Sequence, residues 1–427
     1  MGSHKTEVKQ SDTVQGVALD HWSTFRLGAL CDKIGSGATP KGGSQVYVNE
    51  GVSLIRSQNV YNGVFKYDGL SHITDEAAYK LRSVTVQQDD VLLNITGDSV
   101  ARCTVVPAKV LPARVNQHVA IVRVKQDVCS PQFLQAVLTE PKMQAYMIGL
   151  ASSQGGSRNA LTKSNIEEFE IVLPPLLVQR KIASILGAYD DLIENNRRRI
   201  ALLEKMAREL YRERFVRRAK GVCSFHTRSA TEWFGEITIG KTPPRKEPTH
   251  FIGSVPWVSI SDMGREGMFV FDTAEQLAEA SVRDLHIKVV PANTLLLSFK
   301  LTVGRLSITT VDCCTNEAIA HLNVGERLLP YMYLYLQDYE YAKLGNTCAI
   351  SDGINSKIVK NMPIAIPSND LELEQFNAVV TPMFDEMLLL ARKNRNLVQQ
   401  RDRLLPRLMS GKIDLEKFVQ GEEIDNG

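Results

Sequence analysis

The sequence has little of what marks an enzyme, a membrane protein or a disulfide-bonded secreted one. Its seven cysteines carry no metal-ligand or redox spacing, since Cys313 and Cys314 are adjacent and the rest stand singly. That usage fits free thiols in a reducing cytoplasm. No apolar run reaches the roughly 20 residues needed to cross a bilayer, and the N-terminus has no charged-then-apolar leader pattern, so no membrane partner is expected. The eight histidines are too dispersed for a zinc or other His-metal site; His118 and His321 fall in strand-like stretches and read as structural. Gly35 to Gly43 lacks the Gly-Lys-Ser/Thr ending of a phosphate-binding loop. Also missing are an Asn/Asp-Pro-Pro-aromatic tetrapeptide, the device that holds a flipped adenine in amino-methyltransferases, a glycine-rich methyl-donor motif and a metal-nuclease cluster. No catalytic residue, metal or cofactor is assigned, and an enzyme is the class these absences argue against most.

An excess of one charge is missing as well: the 427 residues carry a net +2. The distribution is uneven. Residues 178–220 hold 12 Lys/Arg against 6 Asp/Glu, and residues 385–417 hold 8 against 5, which leaves −7 for the remainder of the chain. Basic charge is thus concentrated in two segments along which an elongated polyanion could lie, although a solvated helix face has the same composition.

What the sequence does have is itself twice. Gly37-Ala38-Thr39-Pro40 returns 203 residues later as Gly240-Lys241-Thr242-Pro243. Asp90-Val91-Leu92-Leu93 matches Asn293-Thr294-Leu295-Leu296, and Arg102 matches Arg305, at the same offset. The offset falls to 200 for Asn116 and Asn316, and to 193 for Ile171-Val172-Leu173-Pro174 and Ile364-Ala365-Ile366-Pro367. An ordered series with small deletions indicates duplication, and a duplicated unit suits a two-sided ligand.

Each copy ends in a long segment of helical periodicity. Ile182, Leu186, Tyr189, Ile193, Asn196, Ile200, Leu203, Ala207 and Leu210 step by four and three; Phe376, Val380, Met383, Met387, Leu390, Asn394, Leu397, Arg401, Leu404 and Leu408 do the same. With Asn196 opposite Asn394 in an antiparallel pair, nearly every layer is apolar, and Tyr189 meets Arg401 in a cation–π contact. The spacing therefore predicts one antiparallel coiled coil whose asparagine pair sets the register. Pro382 and Pro406 are expected to kink or restart the second helix.

Between these segments, Val52–Arg56, Val91–Ile95 and Val119–Val124 are β-branched runs bounded by Gly, Asn and Asp, and read as strands; Pro131 to Met147 has helical periodicity. The fold class expected is α+β, two similar units with mixed sheets and a few short helices. Pro174-Pro175 and Pro367 end the last strands ahead of the long helices. Polar side chains gather in the loops. The first copy offers Thr39, Lys41, Ser57, Gln58, Asn59, Thr96, Arg102, Gln154, Arg158 and Asn159; the second offers Lys241, Thr242, Arg245, Lys246, Ser261, Lys300, Arg305, Asn355 and Lys357. Arg can pair with guanine and Gln or Asn with adenine at the major-groove edge, while Ser, Thr, Lys and loop amides suit phosphate. Any one of these is also an ordinary solvated turn residue, and recurrence in both copies is what raises the set.

From about Trp22 to Ile413 the chain resembles the specificity subunit of type I restriction-modification systems. The residues that carry this are the two Gly-x-Thr-Pro turns, Leu54-Ile55-Arg56-Ser57-Gln58-Asn59-Val60, Asp89-Asp90-Val91-Leu92-Leu93, the Leu-Pro-Pro-Leu-x-x-Gln helix start at Leu173 to Gln179, and Leu404-Leu405-Pro406-Arg407-Leu408-Met409-Ser410-Gly411. The chain departs from the pattern at Val178, usually acidic, and at Pro367-Ser368 in place of a double proline. The resemblance implies a non-catalytic cytoplasmic subunit that binds double-stranded DNA, two methyltransferase subunits and optionally two motor-nuclease subunits. Each target recognition domain would read half of a bipartite site, with the antiparallel helices between them. The organisation expected is an N-terminal arm or cloning remnant over 1–20, a target recognition domain over 21–175, a central long helix over 176–220, a second recognition domain over 221–368, a C-terminal long helix over 369–410 and a tail over 411–427. The 28 residues from Ile182 to Leu210 give about 42 Å of helix, near one turn of DNA. The alternatives are a specificity subunit of another methyltransferase or nuclease assembly, a stand-alone DNA-binding regulator, and a coiled-coil scaffold that binds protein.

Overall fold

The computed structural model describes residues 22–153, 159–217, 224–345, 354–413 and 415. The chain forms two compact units, one from Met1–Ile193 with Asn396–Gly427 and one from Glu194–Arg395. Both are α+β, and each contains a stretch of the two long helices Leu176–Tyr211 and Asp370–Met409.

In the first unit an antiparallel sheet runs in the order Cys103–Val105, Val91–Asn94, Val119–Val124, Cys31–Ser36. In the second unit Leu306–Thr309, Leu295–Ser298, Ile319–Leu322 and Thr238–Ile239 stand in the same order, with Phe269–Val270 added in parallel at the edge. A second sheet in each unit is built on a parallel pair, Ala113–Val115 beside Val52–Ile55 and Cys314–Thr315 beside Val255–Val258. Antiparallel neighbours complete both sheets, which are therefore mixed. A two-stranded ribbon joins the start and end of each unit, Ser23–Arg26 with Glu170–Leu173 and Phe225–Ser229 with Pro363–Pro367.

The ladders refine the repeat by one residue. Leu93 pairs with Ala120 and Leu297 with Ala320, so the counterpart of Leu93 is Leu297, 204 residues on, rather than the Leu296 expected from the sequence match. The offset returns to 203 after the turn, where Cys103 pairs with Leu93 and Leu306 with Leu297. The connecting turn is thus one residue shorter in the second copy.

The recurring motifs are places where backbones meet. Gly37 N–H donates to Val119 O and Ala38 N–H to Val115 O, both at 3.1 Å; Gly240 donates to Ile319 O at 3.1 Å and Lys241 to Thr315 O at 2.9 Å. The contact leaves no room for a side chain: a Cβ on Gly37 would lie 1.8 Å from Val115 O, and one on Gly240 2.1 Å from Thr315 Oγ1. Asn116 and Asn316 close the adjoining turns, their Oδ1 atoms accepting from His118 N and Ala318 N at 3.1 Å.

The expected helix over 131–147 is two helices, Pro131–Thr139 and Pro141–Ser152, because Glu140 takes an extended conformation ahead of Pro141 and caps the second through Met143 N. Ser130 caps the first. The Leu-Pro-Pro-Leu-x-x-Gln segment owes its glutamine to anchoring: Gln179, 1% exposed, donates to Val128 O and Pro174 O and accepts from Ser130 N.

The long helices run antiparallel within each unit. In the second, Asn196 Nδ2 donates to Asn394 Oδ1 at 2.9 Å, Arg199 meets Glu386 at 2.7 Å and Arg214 meets Gln375 at 2.6 Å, one number rising as the other falls. In the first, Val178, Ile182 and Leu186 share a core with Leu405 and Leu408. Burial of each such side chain contributes ~1.5–3 kcal/mol, and the helix faces are continuous with the sheet cores: Leu93, Val122 and Phe133 in one unit, Leu295, Leu322 and Tyr331 in the other.

Three helix expectations are corrected. Arg401 turns not to Tyr189 but to Asp190 at 2.5 Å and Asp402 at 2.9 Å, since carboxylates give a guanidinium charged acceptors. Leu210 is 39% exposed and Tyr211 is buried instead, as expected when a straight helix of 3.6 residues per turn drifts from a seven-residue repeat. The second helix passes Pro382 and Pro406 unbroken from Asp370 to Met409; Val380, Phe384 and Met387 bury the face around Pro382, and Leu405 and Leu408 the face around Pro406, so packing offsets the lost backbone bonds.

Candidate nucleic-acid interface

The loops at the ends of the first unit's strands form one polar cleft of about 730 Å³, lined by Ser57, Gln58, Tyr61, Thr96, Gly97, Asp98, Ser99, Arg102, His118 and Asn159. Five of the expected residues meet there: Ser57, Gln58, Thr96, Arg102 and Asn159. The strands position them. Asn94, fully buried at the end of its strand, donates to Ser57 O at 2.9 Å and Val60 O at 3.3 Å, tying the 57–60 loop to the 94–102 turn. An isolated bridge pairs Thr96 with Ala160 and brings in Asn159. Thr96 Oγ1 and His118 Nδ1 hydrogen-bond at 2.6 Å, and Gln117 Nε2 lies 3.0 Å from His118 Nε2. The Arg102 guanidinium lies over the Tyr61 ring, 4.6 Å from its centroid, and Lys66 Nζ is 4.1 Å from the same ring.

Other candidates are placed differently. Asn59 is fully buried; its Oδ1 accepts from Arg56 N at 3.0 Å and its Nδ2 donates to Lys66 O at 2.9 Å, so it shapes the loop and offers no edge to a ligand. Thr39 and Lys41 are exposed in the glycine-rich turn, and the Thr39 hydroxyl donates to Gln117 Oε1. Gln154 and Arg158 lie outside the described residues, as do the expected N-terminal arm and most of the tail.

In the second unit the candidates are spread over several segments, and three basic side chains are engaged internally. Lys241 donates to Leu285 O at 2.7 Å, Arg245 pairs with Glu275 at 2.5 Å beside Phe251, and Arg305 donates to Ile260 O at 2.7 Å. Thr242 donates to Glu317, matching Thr39 and Gln117. Ser261 sits exposed in the helix Ile260–Glu266, Lys246 and Lys300 are exposed, and Asn355 caps the helix that carries exposed Lys357.

Sequence reasoning missed Tyr61 and Ser99 as cleft residues and took His118 as a strand residue. It stands in the turn before Val119–Val124. A lone tyrosine two residues past a polar loop gives no period to detect. His321 does lie in a strand, 3% exposed, with Thr238 and Thr315 hydroxyls 2.7 Å from its two ring nitrogens. Burial, with Lys288 nearby, pushes its pKa from 6.5 down to about 4. The unfolded chain therefore binds a proton near pH 6.5 that the folded chain refuses until about pH 4. Stability is lost as pH falls through that window, by roughly 2–3 kcal/mol at pH 4.5. Urea unfolding at pH 7 and 4.5 is expected to show a smaller acid loss for His321→Gln than for the unmodified chain; equal losses would contradict the buried neutral histidine.

Among the described residues no group of three or more His, Cys, Asp or Glu could hold a metal, and no helix is long and apolar enough to cross a membrane. The described cysteines are free, and burial pushes the Cys31, Cys129 and Cys313 thiols up to about 12.

Residues 20–205 match the family model of the type I restriction modification DNA specificity domain. The HindI type I restriction enzyme specificity subunit of Haemophilus influenzae is 21% identical over 92% of this chain and all of its own length. The MjaIX specificity subunit of Methanocaldococcus jannaschii is 23% identical over 97% of this chain and 98% of its own. The S subunit of a type I system from M. genitalium has the same fold, with a TM-score of 0.56 at 15% identity, covering 92% of this chain and 98% of that one. Over nearly its whole length the chain is similar to type I restriction enzyme specificity subunits, and residues 20–205 are similar to their DNA specificity domain.

Proposed function

We propose that this chain selects the DNA target of a type I restriction-modification complex, each unit reading one half of a bipartite duplex site. The observation that carries the reading is the shared strand order of the two units, each with polar loops at its strand ends. The recognition domains are assigned to 21–175 and 221–368, the helical segments to 176–220 and 369–410. These helices hold the concentrated basic charge, set the unread spacer and dock two methyltransferase subunits, with two motor-nuclease subunits joining when cleavage is required. The complex acts in the cytoplasm, where DNA and reduced thiols coexist. Of the 19 DNA-contact candidates, those lining the first cleft are the base-reading set; exposed Lys41, Lys246, Lys300 and Lys357 suit phosphate.

The helices provide the test. One heptad inserted into each, after Asn196 and before Asn394, adds ~10 Å of rod and keeps the apolar seam in phase. The methylated motif is expected to keep both half-sites and gain about three base pairs of spacer at ~3.4 Å each. Altered half-sites with the old spacer would refute the assignment.

A further inference from the structure

Two arginines occupy equivalent positions and are used differently. Arg102 O accepts from Asn94 N at 2.8 Å, and Arg305 O from Ser298 N at 2.9 Å, Asn94 and Ser298 both ending the central strand of their sheets. The residue before each arginine has positive φ, 74° at Ala101 and 84° at Gly304. The backbones therefore launch both side chains alike, but the ends diverge. Arg305 folds down and donates to Ile260 O at 2.7 Å. It can do so because position 264 is glycine: a Cβ there would stand 2.6 Å from Arg305 Nη1. By the same 203-residue offset the first unit has Tyr61, whose ring holds the Arg102 guanidinium at 4.6 Å. Among the described residues the Arg102 side chain has no internal hydrogen bond or ion pair, so its donors remain available in the cleft.

The cleft also has the wrong polarity for a phosphate. Beside Arg102 stand the exposed carboxylate of Asp98, the amides of Gln58 and Asn159 and an imidazole. One cation beside an acceptor and mixed amides complements the edge of a G·C pair, where guanine presents two acceptors and its cytosine a donor. A guanidinium held flat against a ring has lost rotamer freedom before it binds, which favours a bidentate contact.

We infer that Arg102 determines specificity for a G·C pair in the half-site read by the first unit, with Tyr61 as its positioning residue, and that Arg305 has no such part in the second. The inference rests on the reading of the chain as a DNA specificity subunit. The experiment maps methylated motifs in cells carrying the chain with its methyltransferase subunits, comparing Arg102→Ala, Arg102→Lys, Tyr61→Leu and Tyr61→Phe. Both Arg102 variants are expected to relax one guanine position in one half-site, lowering discrimination there by roughly 5- to 150-fold, with the other half-site unchanged. Tyr61→Leu relaxes the same position more weakly and Tyr61→Phe, which keeps the ring, restores it. Lysine keeps the charge but not the paired donors, so a guanine preserved by Arg102→Lys while methylation falls evenly at all sites would make Arg102 a phosphate contact and overturn the inference. A motif that survives Arg102→Ala intact would overturn it too. If the unmodified chain directs no motif, the functional reading itself fails, and this inference with it.

Discussion

Gly37→Ala is expected to unfold the first unit or cost it at least about 3–5 kcal/mol. The added Cβ would lie 1.8 Å from Val115 O and 2.5 Å from Asn116 O. Both are backbone atoms held in the sheet, so no side chain can swing aside. Relief requires the 37–38 and 115–119 segments to part, breaking the Gly37–Val119 and Ala38–Val115 hydrogen bonds. Each lost bond leaves buried polar groups unsatisfied, at ~1–3 kcal/mol per group, and the displaced strand disturbs its packing. Gly240→Ala should do the same to the second unit through Thr315 and Asn316. Gly35→Ala is the control, because nothing lies within 4 Å of the methyl group it would add. Urea unfolding that finds Gly37→Ala as stable as Gly35→Ala would contradict the close crossing.

Asp90→Ala has an expected cost of about 3–5 kcal/mol. Asp90 is fully buried, takes Arg123 Nε at 2.7 Å and Nη2 at 2.8 Å, and accepts from Gln87 N at 2.7 Å. Removing the carboxylate leaves a half-buried guanidinium and a backbone N–H without their acceptor. Arg123→Ala is expected to be as harmful, since it strands a buried carboxylate. The double replacement Asp90→Leu with Arg123→Met should recover part of the loss, because an ion pair replaced as a whole avoids the unpaired charge. A strictly additive double mutant in urea unfolding would show that the pair is not coupled. The second unit does without it: the ladder puts Thr294 in the place of Asp90, and its hydroxyl donates to Pro291 O at 2.8 Å.

Duplication, strands and antiparallel helices were legible because they leave periodic or repeated signals. Val52–Ile55, Val91–Asn94 and Val119–Val124 are strands where β-branched runs predict them, and the pairing of Asn196 with Asn394 follows from the one layer where both seams turn polar. The one-residue shift of the central strand was not legible, since Leu295-Leu296-Leu297 fits either register by composition and only the ladder chooses. Tyr211 replaced Leu210 in the core for a similar reason: a seven-residue template cannot follow a 3.6-residue turn over the four heptads from Ile182 to Leu210. For the site, the loops could be named but not the direction of their side chains. Asn59 looks the same in sequence as Gln58, yet one is buried with its amide bonded and the other lines the cleft. Arg102 and Arg305 align, and a tyrosine in one copy and a glycine in the other send them to different ends.

The most direct measurement is the adenine methylation motif of cells that carry this chain with its methyltransferase subunits, set against the same cells without the chain. The expected result is one motif made of two specified blocks with an unread gap, present only when the chain is. A single continuous motif, or the same motif in the absence of the chain, would contradict two like units each reading half of one target.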